Sequence, residues 1–311
     1  MNRLNDIYYF IKPVLPRWFQ IILRRMVILG KKPFYADVWP INEKAGKLPT
    51  GWKGWPERKR FALLLTHDVE SVKGIQQCQA LMRLEDHLGF RSSFNFIAKE
   101  YAVPPELRHH IVENGYEVGI HGLYHNGEIY KSQTVFMEQA FHINQYLKEW
   151  EAVGFRSPCM FHNVAWMASL NIEYDASTFD TDPFEPQPDG VNTIFPFWVQ
   201  NGDTSRGIVE IPYTLPQDFT LFVLMKQKNI DIWKRKLDWI AKQGGMVLVN
   251  VHPDYLNFSK NKCGLEEYPN EFYKELLNYI KIKYEGQYWN PLPKEMAQFW
   301  RKEMVGKGEN K

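Results

Sequence analysis

The residues of this chain best suited to chemistry are Asp68-Val69-Glu70 and, further along, His121-Gly122-Leu123-Tyr124-His125. Each group follows an apolar run, residues 61–65 before the acids and 116–120 before the histidines, so each stands at the mouth of an expected buried strand. Histidines at i and i+4 share one face if a helical turn begins there, and both rings can then meet one ion. Two histidines and a carboxylate leave the fourth position of a tetrahedral zinc open to water, and the second acid is free to act as a base. Each group alone has an ordinary explanation: polar histidines on a helix surface, or an N-cap followed by a first-turn acid. Their joint occurrence at two strand ends points to a metal site.

The elements that must position these groups follow from periodicity. From residue 61, strands are expected over 61–69, 92–98, 116–121, 154–156, 172–176, 208–212 and 246–252. Helices are expected between and after them over 72–88, 104–114, 132–149, 163–170, 230–243 and 270–283. Gly89, Gly115, Gly154 and Gly244-Gly245 stand where helices stop and strands begin. Strand–helix alternation implies a parallel sheet, and seven units favour a barrel-like closure over an open doubly wound sheet. The first and last strands are apolar almost throughout, as strands buried on both faces must be. Residues 178–196 read as a long ordered loop over the barrel top, and 35–57 as a linker that packs through its tryptophans. The expected organisation is a basic arm and linker over 1–57, a barrel over 58–290, and a C-terminal helix and tail over 291–311.

With 311 residues, 44% of them hydrophobic, the chain can bury one large core. The net charge of +2 gives no reason to expect a nucleic-acid partner. The charge is uneven: residues 1–34 hold seven Lys/Arg against the single acid Asp6. This arm, with Tyr8, Tyr9, Phe10, Trp18 and Phe19, suits packing on the domain or peripheral contact with an anionic membrane, and is expected outside the chemistry. Three scattered cysteines make no disulfide framework and fit a reducing compartment, with Cys159 read as a packed thiol. Arg24-Arg25 interrupts the apolar stretch as no secretory signal does, and no run of 18 apolar residues exists, so a cytoplasmic protein, at most at the inner face of a membrane, is expected.

Five motifs in one order, between about residues 61 and 255, together resemble the polysaccharide deacetylase family (carbohydrate esterase family four, the NodB-homology domain), in a His-Asp-Val-Asp-type variant. They are Thr66-His67-Asp68-Val69-Glu70, His121-Gly122-Leu123-Tyr124-His125, Arg156-Ser157-Pro158, the acidic stretch from Tyr174 to Asp182, and the strand that closes on His252. Two positions depart from the family pattern: Glu70 stands where Asp is usual, and Gly122 where Ser or Thr is usual.

The resemblance implies a distorted (β/α)7 barrel, related to the TIM barrel, that removes acetyl from an N-acetylated sugar. It makes Asp68 the catalytic base, Glu70, His121 and His125 the ligands of one divalent metal, Arg156 the residue that keeps the base ionised, and His252 the general acid. Zinc is the expected ion, with cobalt, nickel or manganese as substitutes. A backbone N–H just after Pro158 would face the oxyanion, and Asp175, Asp180 and Asp182 are candidates to brace Arg156 or His252. The expected substrate is a lipid- or nucleotide-linked precursor of a bacterial surface polysaccharide. The alternatives are a hydrolase of another small amide, or a silent carbohydrate-binding barrel suggested by Glu70 and Gly122. The sequence leaves the oligomeric state open.

Overall fold

The computed structural model describes residues 15–305 except 202 and 260. Tyr8, Tyr9, Phe10 and the end of the C-terminal tail lie outside them. The architecture is built on β1 (Phe61–Val69), all nine residues of which are buried. It is parallel to β2 (Ser93–Phe96) along one edge and to β8 (Met246–Asn250) along the other. From β2 the parallel order continues through β3 (Glu117–Ile120), β4 (Gly154–Phe155), β5 (Tyr174–Asp175) and β7 (Asp203–Glu210). Seven parallel strands therefore curl around one interior, as the alternation of elements requires. The gap between β7 and β8 is bridged by the backbone after β7, where the Thr214 and Leu215 N–H groups both donate to the Leu248 carbonyl. The fold is a distorted (β/α)7 barrel.

The crossover helices are α2 (Val72–Leu88), α3 (Pro105–Glu113), α4 (Gln133–Glu149), the single-turn α5 (Val164–Met167) and α6 (Asp231–Gln243). After β8 come α7 (Asn270–Lys283) and α8 (Pro293–Trp300). The expected helices match these closely, except that 163–170 shrinks to one turn. Three features were not legible in the periodicity. β6 (Phe197–Asn201) pairs antiparallel with β7, β9 (Leu256–Asn257) pairs with β10 (Tyr268–Pro269), and β11 (Tyr288–Trp289) joins the start of β1. β9, β10 and β11 have two residues each, too few to show a period of two.

The linker packs through its tryptophans: Trp55 donates from Nε1 to the Gly244 carbonyl at 2.8 Å, and Trp52 and Trp55 stack among Phe195, Phe299 and Trp300. Ahead of the linker, the basic arm forms a full helix, α1 (Arg17–Lys31). Its Ile21 and Ile28 are buried. The helix lies against a π-helical segment, Phe219–Leu224, where Arg25 donates to the Val223 carbonyl and Arg24 sits 4.9 Å over the Phe219 ring.

Alternation along β1 sorts its side chains between two layers. His67 points to the helices, bonding Glu85 of α2 at 2.8 Å and the Val251 carbonyl at 2.8 Å. Thr66 and Asp68 point to the interior, where they meet Arg156.

Glu117, on β3, is buried and accepts from the Tyr174 hydroxyl at 2.8 Å and the Lys294 N–H at 3.0 Å. Burial outweighs these bonds and pushes its carboxyl up to about 7. A carboxyl whose pKa is raised on folding stabilises fully below its unfolded pKa and loses that contribution as pH rises through the folded value. Glu117→Gln should therefore gain on the wild type between about pH 4.5 and 7, by about 3 kcal/mol in total, and hold that gain above it. Paired urea melts across pH check this; a difference independent of pH would refute it.

Candidate metal and acid–base site

The site forms at the carboxyl ends of the strands, where parallel barrels place their chemistry. β1 ends by delivering Asp68 inward, and Glu70 follows one residue past the strand. His121 follows β3 directly, held by its N–H donating to the Phe96 carbonyl at 2.7 Å. The loop then turns back through Gly122, whose φ is +74°. A Cβ there would come within 2.5 Å of the Pro158 ring, so both conformation and space call for glycine, and Pro158 acts as a wall of the loop.

Glu70, His121 and His125 each offer a donor atom, and all three atoms lie within 4.8 Å of one another. His125 Nε2 is 2.9 Å from Glu70 Oε1, and the Tyr255 hydroxyl donates to Glu70 Oε2. His121 Nδ1 lies 3.0 Å from the Arg156 carbonyl, which can only accept, so Nδ1 carries the proton and Nε2 a lone pair. That Nε2 is buried without a hydrogen-bond partner. Burial also pushes the His121 pKa down, keeping the ring neutral. An orphaned lone pair aimed at a carboxylate and a second imidazole fits a divalent cation.

Asp68 is buried beside this cluster. Its Oδ1 accepts from Asn95 Nδ2 at 2.9 Å and its Oδ2 from Asn250 Nδ2 at 2.7 Å, while Arg156 Nη1 lies 3.5 Å away. Burial alone would raise its pKa, but the Arg156 guanidinium, with His121, His252 and Asn95, holds it down at about 2. Arg156, itself buried, is fixed by donating from Nε to the Ala176 carbonyl and from Nη1 to Thr66 Oγ1, both at 2.9 Å. Asn95 fits only because Gly119 lies beside it; a Cβ at Gly119 would sit 2.2 Å from Asn95 Oδ1.

His252 faces Asp68 and Glu70 through Nε2, at 4.0 and 3.7 Å. Its Nδ1 bonds Asp218 Oδ1 at 2.7 Å, and Asp218 Oδ2 takes the His252 N–H and the Tyr268 hydroxyl. Burial opposes charge on His252, yet the Asp218 carboxylate, with Glu70 and Asp68, pushes its pKa up to about 10. At neutral pH Asp68 is thus ionised and His252 protonated, the complementary states that an acid–base pair needs.

The acids expected to brace these residues bond elsewhere. Asp175 binds Ser177, Asp180 forms a buried ion pair with Lys236 at 2.7 Å, and Asp182 accepts from the Phe184 N–H and the Tyr213 hydroxyl. The brace on His252 is Asp218, far from that stretch in sequence, and Arg156 is held by Thr66 and a carbonyl. Asn95 and Asn250 were not anticipated: each is a lone amide in its strand, and only the closed sheet brings them to Asp68, Asn95 in register with it. Cys159, expected as a packed thiol, lines the cavity with its Sγ 4.0 Å from His125 Nε2, on a backbone with φ of +57°.

A cavity of about 510 Å³ opens over the cluster. One wall is α1, through Leu23, Arg24 and Val27. The N-terminal segment therefore packs on the domain, as expected, and borders the site.

No protein-family model matches the chain, and no curated protein matches it in sequence. Solved structures do match in shape. A Mycobacterium smegmatis protein described as a polysaccharide deacetylase aligns at 17% identity and a TM-score of 0.61, over 83% of this chain and 96% of its own. A Pseudomonas aeruginosa PAO1 protein of the same description gives 16% and 0.62, over 81% and 94%. PuuE allantoinase gives 15% and 0.63, over 85% and 98%. At these identities the likeness is one of fold, and it is the fold expected from the sequence.

The donor geometry gives a direct expectation. Zinc titrated into the metal-free protein should bind with unit stoichiometry, and His121→Ala with His125→Ala should weaken it at least roughly 100-fold. Cys159→Ala should leave zinc affinity within a few-fold, since its sulfur lies outside the three-donor cluster. Undiminished binding in the double histidine variant would remove the site.

Proposed function

We propose that this chain is a metal-dependent hydrolase that removes acetyl from an N-acetylated sugar. The observation that carries this reading is the placement of an ionised Asp68 and a protonated His252 on either side of the Glu70, His121 and His125 cluster. Glu70, His121 and His125 would hold zinc or a similar divalent ion. When bound, that ion polarises the amide carbonyl and acidifies water. In this reading Asp68 takes the proton of the attacking water as the C–O bond forms and the carbonyl oxygen becomes an oxyanion, and His252 Nε2–H then gives a proton to the departing nitrogen as the oxyanion collapses and the C–N bond breaks. In this reading the backbone N–H after Pro158 would face the oxyanion. Arg156 keeps the base ionised and Asp218 keeps the acid protonated.

Two features that suggested a silent barrel have local counterparts. The longer side chain of Glu70 still brings its carboxylate to His125, and Gly122 answers the Pro158 ring. The fold shared with an allantoinase, and a cavity bounded by α1, support a second reading in which the substrate is another small amide. Under the first reading the substrate is a sugar precursor of a surface polysaccharide, carried on a lipid or nucleotide and handled on the cytoplasmic side.

Acetate release from a panel of N-acetylated sugars, run beside cyclic and linear ureides and amides, separates the two readings; no turnover on either set with metal-loaded protein would refute both. Asp68→Asn should retain metal and lose on the order of 10²–10⁴ in turnover, whereas Glu70→Gln should lose metal affinity first. The reverse pattern would exchange their roles. Asp218→Asn should move the alkaline limb of the activity profile to lower pH, because the carboxylate that raises His252 is gone. An unmoved limb would show that His252 is not the acid.

A further inference from the structure

Helix α1 carries two unlike stripes. Arg17, Arg24 and Lys31 recur at seven-residue intervals and line the cavity together with Leu23 and Val27. Trp18, Ile22, Met26 and Leu29 fall on another stripe, at i, i+4, i+8 and i+11, and none of them lines the cavity. They are 55%, 38%, 54% and 63% exposed, and Phe34, just past the helix, is 82% exposed. Four large apolar side chains in one row, facing water, mark an interaction surface rather than a solvated face.

The charges around the stripe indicate what covers it. No Asp or Glu occurs between Asp6 and Asp37, while Arg24, Arg25, Lys31 and Lys32 all do. Lys32 is exposed just past the end of the stripe. A second copy of the chain packed α1 on α1 would bring two wholly basic helices together. An anionic surface has the complementary charge, and an apolar stripe flanked by cations is the pattern of a helix lying in a lipid interface. Among the described residues no helix is long and apolar enough to cross a membrane, so the contact would be one of lying on the bilayer.

We propose that the outer stripe of α1 docks on an anionic lipid bilayer, with Trp18, Ile22, Met26 and Leu29 in the interface and Lys32 against lipid phosphates. Because the opposite stripe walls the cavity, docking brings the cavity to the level of the headgroups. Arg17 is tied to Glu266 at 2.6 Å, which leaves Arg24 and Lys31 to attract an anionic group entering from the membrane. The substrate that follows is a lipid whose headgroup carries the amide beyond an anionic linker. That consequence rests on the hydrolase reading above; the docking does not.

The test is sedimentation of the full chain with vesicles of phosphatidylcholine alone and of phosphatidylcholine with phosphatidylglycerol in equal parts. The wild type should pellet with the anionic vesicles, and less so in high salt. Combining Trp18→Ser, Ile22→Ser, Met26→Ser and Leu29→Ser should weaken that binding roughly tenfold or more, with an unchanged melting profile. The milder pair Trp18→Ser and Met26→Ser should fall between. Asp68→Asn should bind vesicles like the wild type, so docking is read apart from chemistry, and vesicle binding without turnover would sink only the hydrolase reading. A wild type that stays in solution with both vesicles, or a quadruple variant that pellets as well as the wild type, overturns the proposal. So does a wild-type dimer in light scattering that the four serines split, which would assign the stripe to a second copy.

Discussion

The arrangement around this site follows from one constraint, that a carboxylate at the end of β1 must stay charged while buried. An ion taken out of water costs several kcal/mol unless its hydrogen-bonding capacity and its charge are both met. Asp68 meets both through residues from separate elements: Asn95 on β2, Asn250 on β8 and Arg156 after β4. Those elements are brought around Asp68 by the parallel order of the barrel and by register, Asn95 standing opposite Asp68 in the ladder. Arg156 brings its own requirement, met by Thr66 from the same strand as the acid it supports. The charge state of one side chain thus depends on the closure of the sheet.

The same logic sets the second pair. His252 sits at the end of β8 and would lose its proton to burial, but Asp218 reverses that from the segment leading into the π-helical turn. That carboxylate also accepts from Tyr268, so it is fixed before it acts. Opposite protonation states are thereby held a few ångströms apart in one cavity, each by its own neighbours. Glu70 is anchored in turn by Tyr255, and its backbone N–H donates to Asp254. A side chain one methylene longer than aspartate needs such a tether to present its carboxylate in one place.

Helix α1 changes the character of the site without contributing a donor to the cluster. Buried through Ile21 and Ile28, it closes one side of the cavity with apolar and cationic groups. The inner end of the cavity is built from acids and imidazoles and the outer wall carries Arg17, Arg24 and Lys31. Under the proposed reading the amide would lie at the inner end, with a neutral or anionic extension toward the helix.

The sequence by itself determined the barrel and the inner cluster. Long strands buried on both faces are apolar throughout, and helices on the outside keep their 3.6-residue period, so β1, β8, α2 and α7 were legible almost to the residue. Asp68, Glu70, His121 and His125 were legible because polar groups that close an apolar strand have few structural reasons to be there. What the tertiary structure decided was which distant groups complete them. Asp175, Asp180 and Asp182 looked suited to brace the site, but their bonds run to Ser177, to Lys236, and to Phe184 and Tyr213. Asp218 does so instead, and no local pattern marks it. The basic arm read as a bystander because its composition says only that it is amphipathic; where an amphipathic helix lies depends on which surface its buried stripe finds. Local chemistry is written in residue type and spacing, whereas pairing between elements far apart in sequence exists only once the sheet has closed.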